Sequence, residues 1–449
     1  MNIIDDYASK MGSVCIAENQ IHKMLFQEYG VKQGLRDERG RGVLTGLTNI
    51  SEVNSFKMEN GERVQMDGKL TYRGYNIKDL VQGSLGRRFI FEEGAYLLLF
   101  GKLPTEAQLM EFHKVLAAAM TLPNGFTRDI IMKASSRDIM NSMTRSVLTL
   151  SSYDDEFDNL DVDNVLSQCI RLIAEIPMLA MYAYHAHNHY ENNDSMYIHR
   201  PDENLSIAEN ILRMLRPDCR FSELEAHVLD VALLLHMEHG GGNNSTFTIR
   251  VVTSTGTDTY AATAAALSSL KGPKHGGANI KVMQMMDDIR NHIHDYYDED
   301  EIKAYLNGIL EKEYFDRKGL IYGIGHAIYT LSDPRELILK QFVEALAEDK
   351  GRNMDLLLYN QIEKLAPRLI MKKRNTFKVV SPNVDFYSGF VYNMMNIPVE
   401  LYTPLFAIAR MVGWSAHRIE ELISANKIIR PAYMSLATDK QYVPREERR

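Results

Sequence analysis

Residues Leu270–Asn279, "LKGPKHGGAN", interrupt a helical pattern with Gly272-Pro273, place His275 behind the break and add Gly276-Gly277 before helical spacing resumes. On the N-terminal side Asp258–Leu270, "DTYAATAAALSSL", reads as an alanine-rich helix whose small side chains let a neighbouring helix approach closely. On the C-terminal side Ile280, Met283, Met286 and Ile289 recur along one helix face. A plain connector between two helices needs no histidine. The stretch therefore predicts a helical protein that presents a chemical group at the start of a helix. Unpaired N–H groups there disfavour imidazolium and keep the ring neutral, and the two glycines let a ligand approach the backbone.

Helical periods extend outward from this stretch. They begin near Ile77, run through "FEEGAYLLLFG" and "SQCIRLIAEIPMLAMYAYHA", and return after the break. Ser222 and Glu225 form a capping-box pattern for "AHVLDVALLLHMEH", a helix that Gly240-Gly241-Gly242 should stop. A charge-rich helical region runs to Phe315, and a last helical stretch runs through Trp414. Val64–Tyr72, "VQMDGKLTY", alternates around Asp67-Gly68, which predicts a hairpin turn at that dipeptide. Residues 1–42 read as polar and irregular apart from a helix-like stretch at Ile21–Tyr29. "YAYHAHNHY" (Tyr182–Tyr190) reads as a solvated helix end, and the scattered methionines as core filler. With no βαβ alternation and no 20–50-residue repeat, the predicted fold is mainly α with a small N-terminal β-hairpin.

Composition narrows the function classes. The 449 residues are 45% hydrophobic and 24% charged, ordinary for a globular chain long enough for two or three domains. A net charge of −8 argues against a surface that coats nucleic acid, yet permits a local basic pocket. Cys15, Cys169 and Cys219 form neither a disulfide framework nor a zinc pattern, so a reducing cytoplasm is expected. The acidic start "MNIIDDYASKMGSV" lacks the features of a signal peptide, and no run suggests the ~20 apolar residues of a membrane span. His236 and His239 share a helix, but "HMEH" lacks the HExxH order and no third ligand is placed, so no metal is expected.

The chemistry gathers at the breaks. His239 precedes the triple glycine, His275 follows Gly272-Pro273, His326 ends Gly323-Ile324-Gly325-His326, and Asp385 lies in "PNVDFYSG". A neutral histidine hydrogen-bonding a carbonyl oxygen, with a carboxylate base near the adjacent carbon, is a constellation for enolisation. Arg335 closes "SDPR", Arg410 lies in "FAIARMVGW" and Arg430 in "NKIIRP". Their guanidinium forks suit bidentate binding of carboxylates, which points to a substrate carrying two or more.

"HMEHGGGNNSTF", "LKGPKHGGAN", "GIGHAIYTLSDPR", "PNVDFYSG" and "FAIARMVGW" together resemble the motifs of the citrate synthase family, in the family's order and with similar gaps, from about Val43 to Arg430. The resemblance implies a mainly helical homodimer. Each subunit would have a large domain (1–275 and 388–449) and a small one (276–387) that closes over oxaloacetate and the co-substrate acetyl-CoA, with no permanently bound cofactor. It implies that His275 holds the acetyl-CoA carbonyl, Asp385 removes the methyl proton, and His326 protonates the oxaloacetate carbonyl. His239, Asn243, Arg335 and Arg410 would bind oxaloacetate, with Arg430 supplied by the neighbouring subunit. Leu320, Ile321, Tyr322, Gly323, Ile324 and Gly325, with Lys378, would contact coenzyme A. Rival expectations are the same condensation with propionyl-CoA, giving 2-methylcitrate, a citryl-CoA lyase, or a binding protein without catalysis.

Overall fold

The computed structural model describes residues 3–37, 42–375, 379–424 and 427–448. Residues up to Leu47 form a unit of their own, and Thr48 onward forms a second. In the first unit the chain is helical over Ile3–Asn19 as well as Lys23–Glu28, and neither helix buries a residue. The polar reading of residues 1–42 was correct in character, but the longer helix was missed because it has no buried face to impose a hydrophobic period.

The second unit is built of helices with one small antiparallel sheet in the order β1 (Ser51–Glu59), β2 (Glu62–Tyr72), β3 (Tyr75–Asn76). The first hairpin turns at Asn60-Gly61, where both residues have positive φ (52° and 83°) and Glu59 faces Glu62. Asn-Gly is the favoured pair for that two-residue turn. Asp67-Gly68, the expected turn, instead lies inside β2, where the ladder slips between Asn54 and Phe56. Gly68 is needed for closeness rather than for turning. A Cβ there would lie 2.3 Å from Ser332 O and 2.7 Å from the Tyr329 ring. The sheet thus grips the loop before Arg335, with Ser332 Oγ donating to Asp67 Oδ1 and accepting from the Gly68 N–H.

Helix Val162–Asn192 runs through the core, and Tyr402–Ser424 packs along it. By length and composition the former could cross a bilayer, contrary to the sequence expectation, but 78% of its most apolar window is buried inside the protein. Its histidines correct another expectation: His185 and His187 are buried, His185 Nε2 lying 2.8 Å from Met214 O, and only His189 is exposed. Thr259–Leu270, capped by Asp258, packs against Asn244–Thr253 and Ile139–Leu150, the close neighbours that its alanines predicted. Helix Val384–Met394 packs against both Ala278–His292 and Pro334–Asp349. Ser388-Gly389 sits inside that helix, and a Cβ on Gly389 would meet the Met283 side chain at 2.8 Å. It is a close helix crossing, not a chain break.

Gly68→Ala is expected to destabilise the protein by about 1–3 kcal/mol, because backbone on the facing loop cannot yield to the new methyl. Urea unfolding measures this, and an unchanged midpoint would mean that Gly68 is open, as a turn residue would be.

Candidate active site

The capping box at Ser222 and Glu225 forms as expected, but helix Glu223–His236 ends at His236, before the triple glycine. His239 therefore stands beyond the helix, in a turn where Gly240 takes φ 86°. Tyr72, at the end of β2, fixes this turn: its hydroxyl donates to Leu234 O and accepts from the Glu238 N–H. The buried His239 ring meets His326 edge-on, with centroids 5.2 Å apart, and its Nε2 has no hydrogen-bond partner. Burial first, then the charge of Arg335, holds its pKa well below the usual histidine range.

His275 lies in the turn before helix Ala278–His292, where Gly277 is the cap, so it precedes the helix rather than starting it. Its neutrality has a different main cause from the one expected. Burial, followed by the charge of Arg410, lowers its pKa to about 4. His275 Nε2 is anchored to Ser245, 3.0 Å from its hydroxyl and 3.4 Å from its backbone N–H. Gly276 cannot carry a side chain here, since a Cβ would lie 2.4 Å from Leu270 O.

The loop bearing His326 is laced to the segment that leads into Asp385. The Gly325 N–H donates to Ser381 O, the Asn383 N–H to Gly323 O, and Asn383 Nδ2 to Gly325 O. Gly323 (φ 79°) leaves room for Phe386, whose ring carbon a Cβ would meet at 2.9 Å. His326 Nδ1 accepts from the N–H groups of Ile328 and Tyr329, which leaves the proton of a neutral ring on Nε2. Asp385 is half-buried in the first turn of Val384–Met394, and the Asn383 side chain caps its N–H. Burial pushes its pKa up to about 6, against the pull of Arg335 and Arg410.

Both arginines are buried. Asp333 grips Arg335 through Nε (3.0 Å) and Nη2 (2.7 Å), and this carboxylate more than offsets burial and holds the guanidinium's pKa up. Arg410 is fully buried. Its Nε donates to His236 O at 2.9 Å, yet among the described residues Nη1 and Nη2 have no hydrogen-bond partner. Burial lowers its pKa to about 10, so it stays charged at neutral pH. Its charge acts on His239, His275 and Asp385, so one cation helps set the protonation of all three. Buried polar groups are almost always hydrogen-bonded, so two orphan nitrogens on a buried guanidinium mark the place of an anionic ligand.

Asn243 immediately precedes helix Asn244–Thr253, and its Oδ1 accepts from Ser245 Oγ at 3.0 Å, beside His275. The segment Leu320–Gly325 adjoins it through the His326 loop, with Ile321 buried, Tyr322 and Ile324 half-buried and Leu320 exposed. Arg430 is not brought to the cluster: it is exposed in the tail after helix Tyr402–Ser424. Lys378 lies outside the described residues. Sequence reasoning missed Ser245, Asp333 and Glu238, whose roles are holding other residues. "SDPR" did carry the signal for Asp333, an aspartate before proline at a helix start. Two cavities, about 750 Å³ beside Leu122 and Glu175 and about 620 Å³ beside Arg87 and His227, include none of these groups. Chemistry, not cavity size, locates the site.

This arrangement suits enzymes that hold a polycarboxylate while moving a proton next to a carbonyl. The chain matches the family description "Citrate synthase, C-terminal domain" over residues 35–432. It is 36% identical to citrate synthase of Synechocystis sp. over 85% of this chain and 89% of that one. It is 35% identical to 2-methylcitrate synthase of Shewanella oneidensis over 87% of this chain and 92% of that one. Its fold matches the crystal structure of citrate synthase from Pyrobaculum aerophilum with TM-score 0.72 and 29% identity, over 91% and 94% of the two chains. The chain is an enzyme of the citrate synthase family.

A small dicarboxylate should raise the thermal midpoint by supplying the missing partner of Arg410, with a stabilisation of about 2.7 kcal/mol at a ligand concentration ~100 times Kd. Arg410→Gln should abolish the shift in a thermal-melt titration, and an undiminished shift would place the anion elsewhere.

Proposed function

We propose that the protein condenses acetyl-CoA with oxaloacetate and water to give citrate and free coenzyme A. The observation that carries this is the buried Arg410 with two unpartnered nitrogens, whose charge acts on His239, His275 and Asp385. Arg410 and the Nη1 of Arg335 take the carboxylates of oxaloacetate, with His239 and Asn243 beside them. Asp385 removes a methyl proton from acetyl-CoA while a ring N–H of neutral His275 donates to the thioester oxygen, where negative charge develops. The methyl carbon then bonds to the ketone carbon of oxaloacetate, and the ketone oxygen takes a proton from His326 Nε2. Water cleaves the resulting citryl thioester and releases the thiol. A neutral His275 suits this work because it donates a proton without itself titrating near neutrality.

The Leu320–Gly325 segment, with Lys378, recognises coenzyme A, its glycines exposing backbone to the cofactor's adenine. Residues 276–387 act as a small domain that closes on 1–275 and 388–449 and excludes water until the carbon–carbon bond forms. Its second boundary falls inside helix Val384–Met394, so the irregular stretch before that helix takes up the rotation. The enzyme works in the cytoplasm, in the tricarboxylic acid cycle, as a homodimer whose tails reach across. Supporting the last point, Ile428, Tyr433, Met434 and Tyr442 are exposed beside Arg430.

A second reading, propionyl-CoA to 2-methylcitrate, is favoured by the near-equal identity to the Shewanella oneidensis enzyme. Release of thiol from acetyl- and propionyl-CoA in the presence of oxaloacetate separates the two. One methylene in the acyl pocket discriminates by about 10–200-fold in kcat/KM. No thiol release from either would remove the proposal.

Asp385 must be ionised to act as base, so kcat/KM should rise with pH through an acid limb near 6, whereas His275, with its pKa about 4, stays neutral over that range. Asp385→Asn should lose about 10²–10⁴-fold in kcat and with it the limb. A limb that survives the substitution belongs to another group. For the dimer, Arg430→Ala and His275→Ala, each inactive alone, should complement on mixing to roughly a quarter of wild-type activity, since half of the reassorted dimers carry one intact site. Absence of recovery despite subunit exchange would keep Arg430 out of the partner's site.

A further inference from the structure

Behind Arg410 stands a fully buried carboxylate that the reaction above does not use. Glu238 Oε1 accepts from Ser51 Oγ (2.8 Å), the Gly240 N–H (2.5 Å) and His417 Nε2 (2.9 Å). His417 is itself fully buried, and its Nδ1 faces the Arg250 guanidinium at 2.6 Å, so the proton on Nε2 points at Glu238. Arg250 is in turn paired with Glu420 and Glu421. Glu238 Oε2, by contrast, is buried without a partner, as are both terminal nitrogens of Arg410. The two groups border the same space above Gly413: a Cβ there would lie 2.5 Å from Glu238 Oε2 and 3.4 Å from Arg410 Cδ. With no Cβ at Gly413, Met237 O and the Glu238 carboxylate can pack directly against the helix that carries Arg410.

We infer that Glu238 is the internal counter-anion of Arg410, a fixed negative charge that limits how tightly the site holds its dianionic substrate. Glu238 is thus a positioning residue that never touches the ligand. Three donors converge on one oxygen and fix the carboxylate's place, while the other oxygen lies near the Arg410 side chain with no hydrogen-bond partner among the described residues. Glu238 also braces the turn that carries His239, since its Oε1 accepts from the Gly240 N–H. Consistent with a retained charge, His417, Arg410 and the Ser51 hydroxyl overcome the effect of burial and bring the Glu238 pKa down to about 2. A site with two buried arginines and no such anion would bind dicarboxylates more tightly and release a tricarboxylate product more slowly.

This inference rests on Arg410 holding a carboxylate of oxaloacetate. The test is calorimetric titration of oxaloacetate into wild-type protein, Glu238→Gln, Glu238→Asp and Arg410→Gln. Glu238→Gln keeps the shape and removes the charge, so its Kd should fall about tenfold, on the order expected for deleting one unit charge a few ångströms from the ligand. Its ligand-induced rise in thermal midpoint should exceed that of the wild type. Glu238→Asp keeps the charge and disturbs the three hydrogen bonds, so its Kd should stay near the wild-type value. Weaker binding in both Glu238 variants would overturn the inference, because it would make Glu238 a structural support for the His239 turn. So would a Glu238→Gln protein that fails to fold even with saturating oxaloacetate while Glu238→Asp folds. Unimpaired binding in Arg410→Gln would instead sink the functional reading itself, which keeps the two failures distinguishable.

Discussion

A guanidinium buried in a helical core, with two of its nitrogens bonded to nothing, is the constraint around which the rest of this site is arranged. Leaving such a group unpaired costs several kilocalories per mole, and a fold tolerates it only where a ligand or a fixed anion compensates. Arg410 is held by one bond to the carbonyl at the end of helix Glu223–His236, so its position is set by backbone rather than by a flexible partner. Its charge then helps set the protonation of its neighbours. After burial it is the next contributor that keeps His275 neutral, and it works against the burial that raises Asp385.

The scaffold serves this arrangement by bringing remote breaks together and fixing each with backbone contacts. Tyr72 ties the sheet to the His239 turn, Gly68 lets the sheet lie against the loop before Arg335, and Asn383 joins the His326 loop to the helix that carries Asp385. Asp333 caps the helix that starts at Pro334 and clamps Arg335 at the same time. None of these contacts is local in sequence except the last. They explain why glycines crowd the breaks: at Gly68, Gly276 and Gly323 the space a side chain would need is already filled.

Much of this could be read from the residues, and the errors have physical causes. The capping box at Ser222 and the alanine-rich helix follow from local pattern. The hairpin was put at Asp67-Gly68 although Asn60-Gly61 was available, because a glycine kept for close approach looks the same in sequence as one kept for a turn. His185 and His187 were read as solvated because three alternate histidines resemble a polar end, whereas the helix carries them into the core. The low pKa of His275 was ascribed to a helix terminus. Its main causes, burial and Arg410, are tertiary and leave no mark in neighbouring residues. Glu238 was invisible for the same reason: its meaning depends on His417, far along the chain.

The most direct test of the account is a crystal structure of the protein with oxaloacetate bound. A carboxylate of the ligand should lie within hydrogen-bonding distance, ~2.7–3.0 Å, of both Nη1 and Nη2 of Arg410, with His326 Nε2 facing the ketone oxygen. A ligand bound elsewhere, with Arg410 turned onto Glu238 instead, would contradict it.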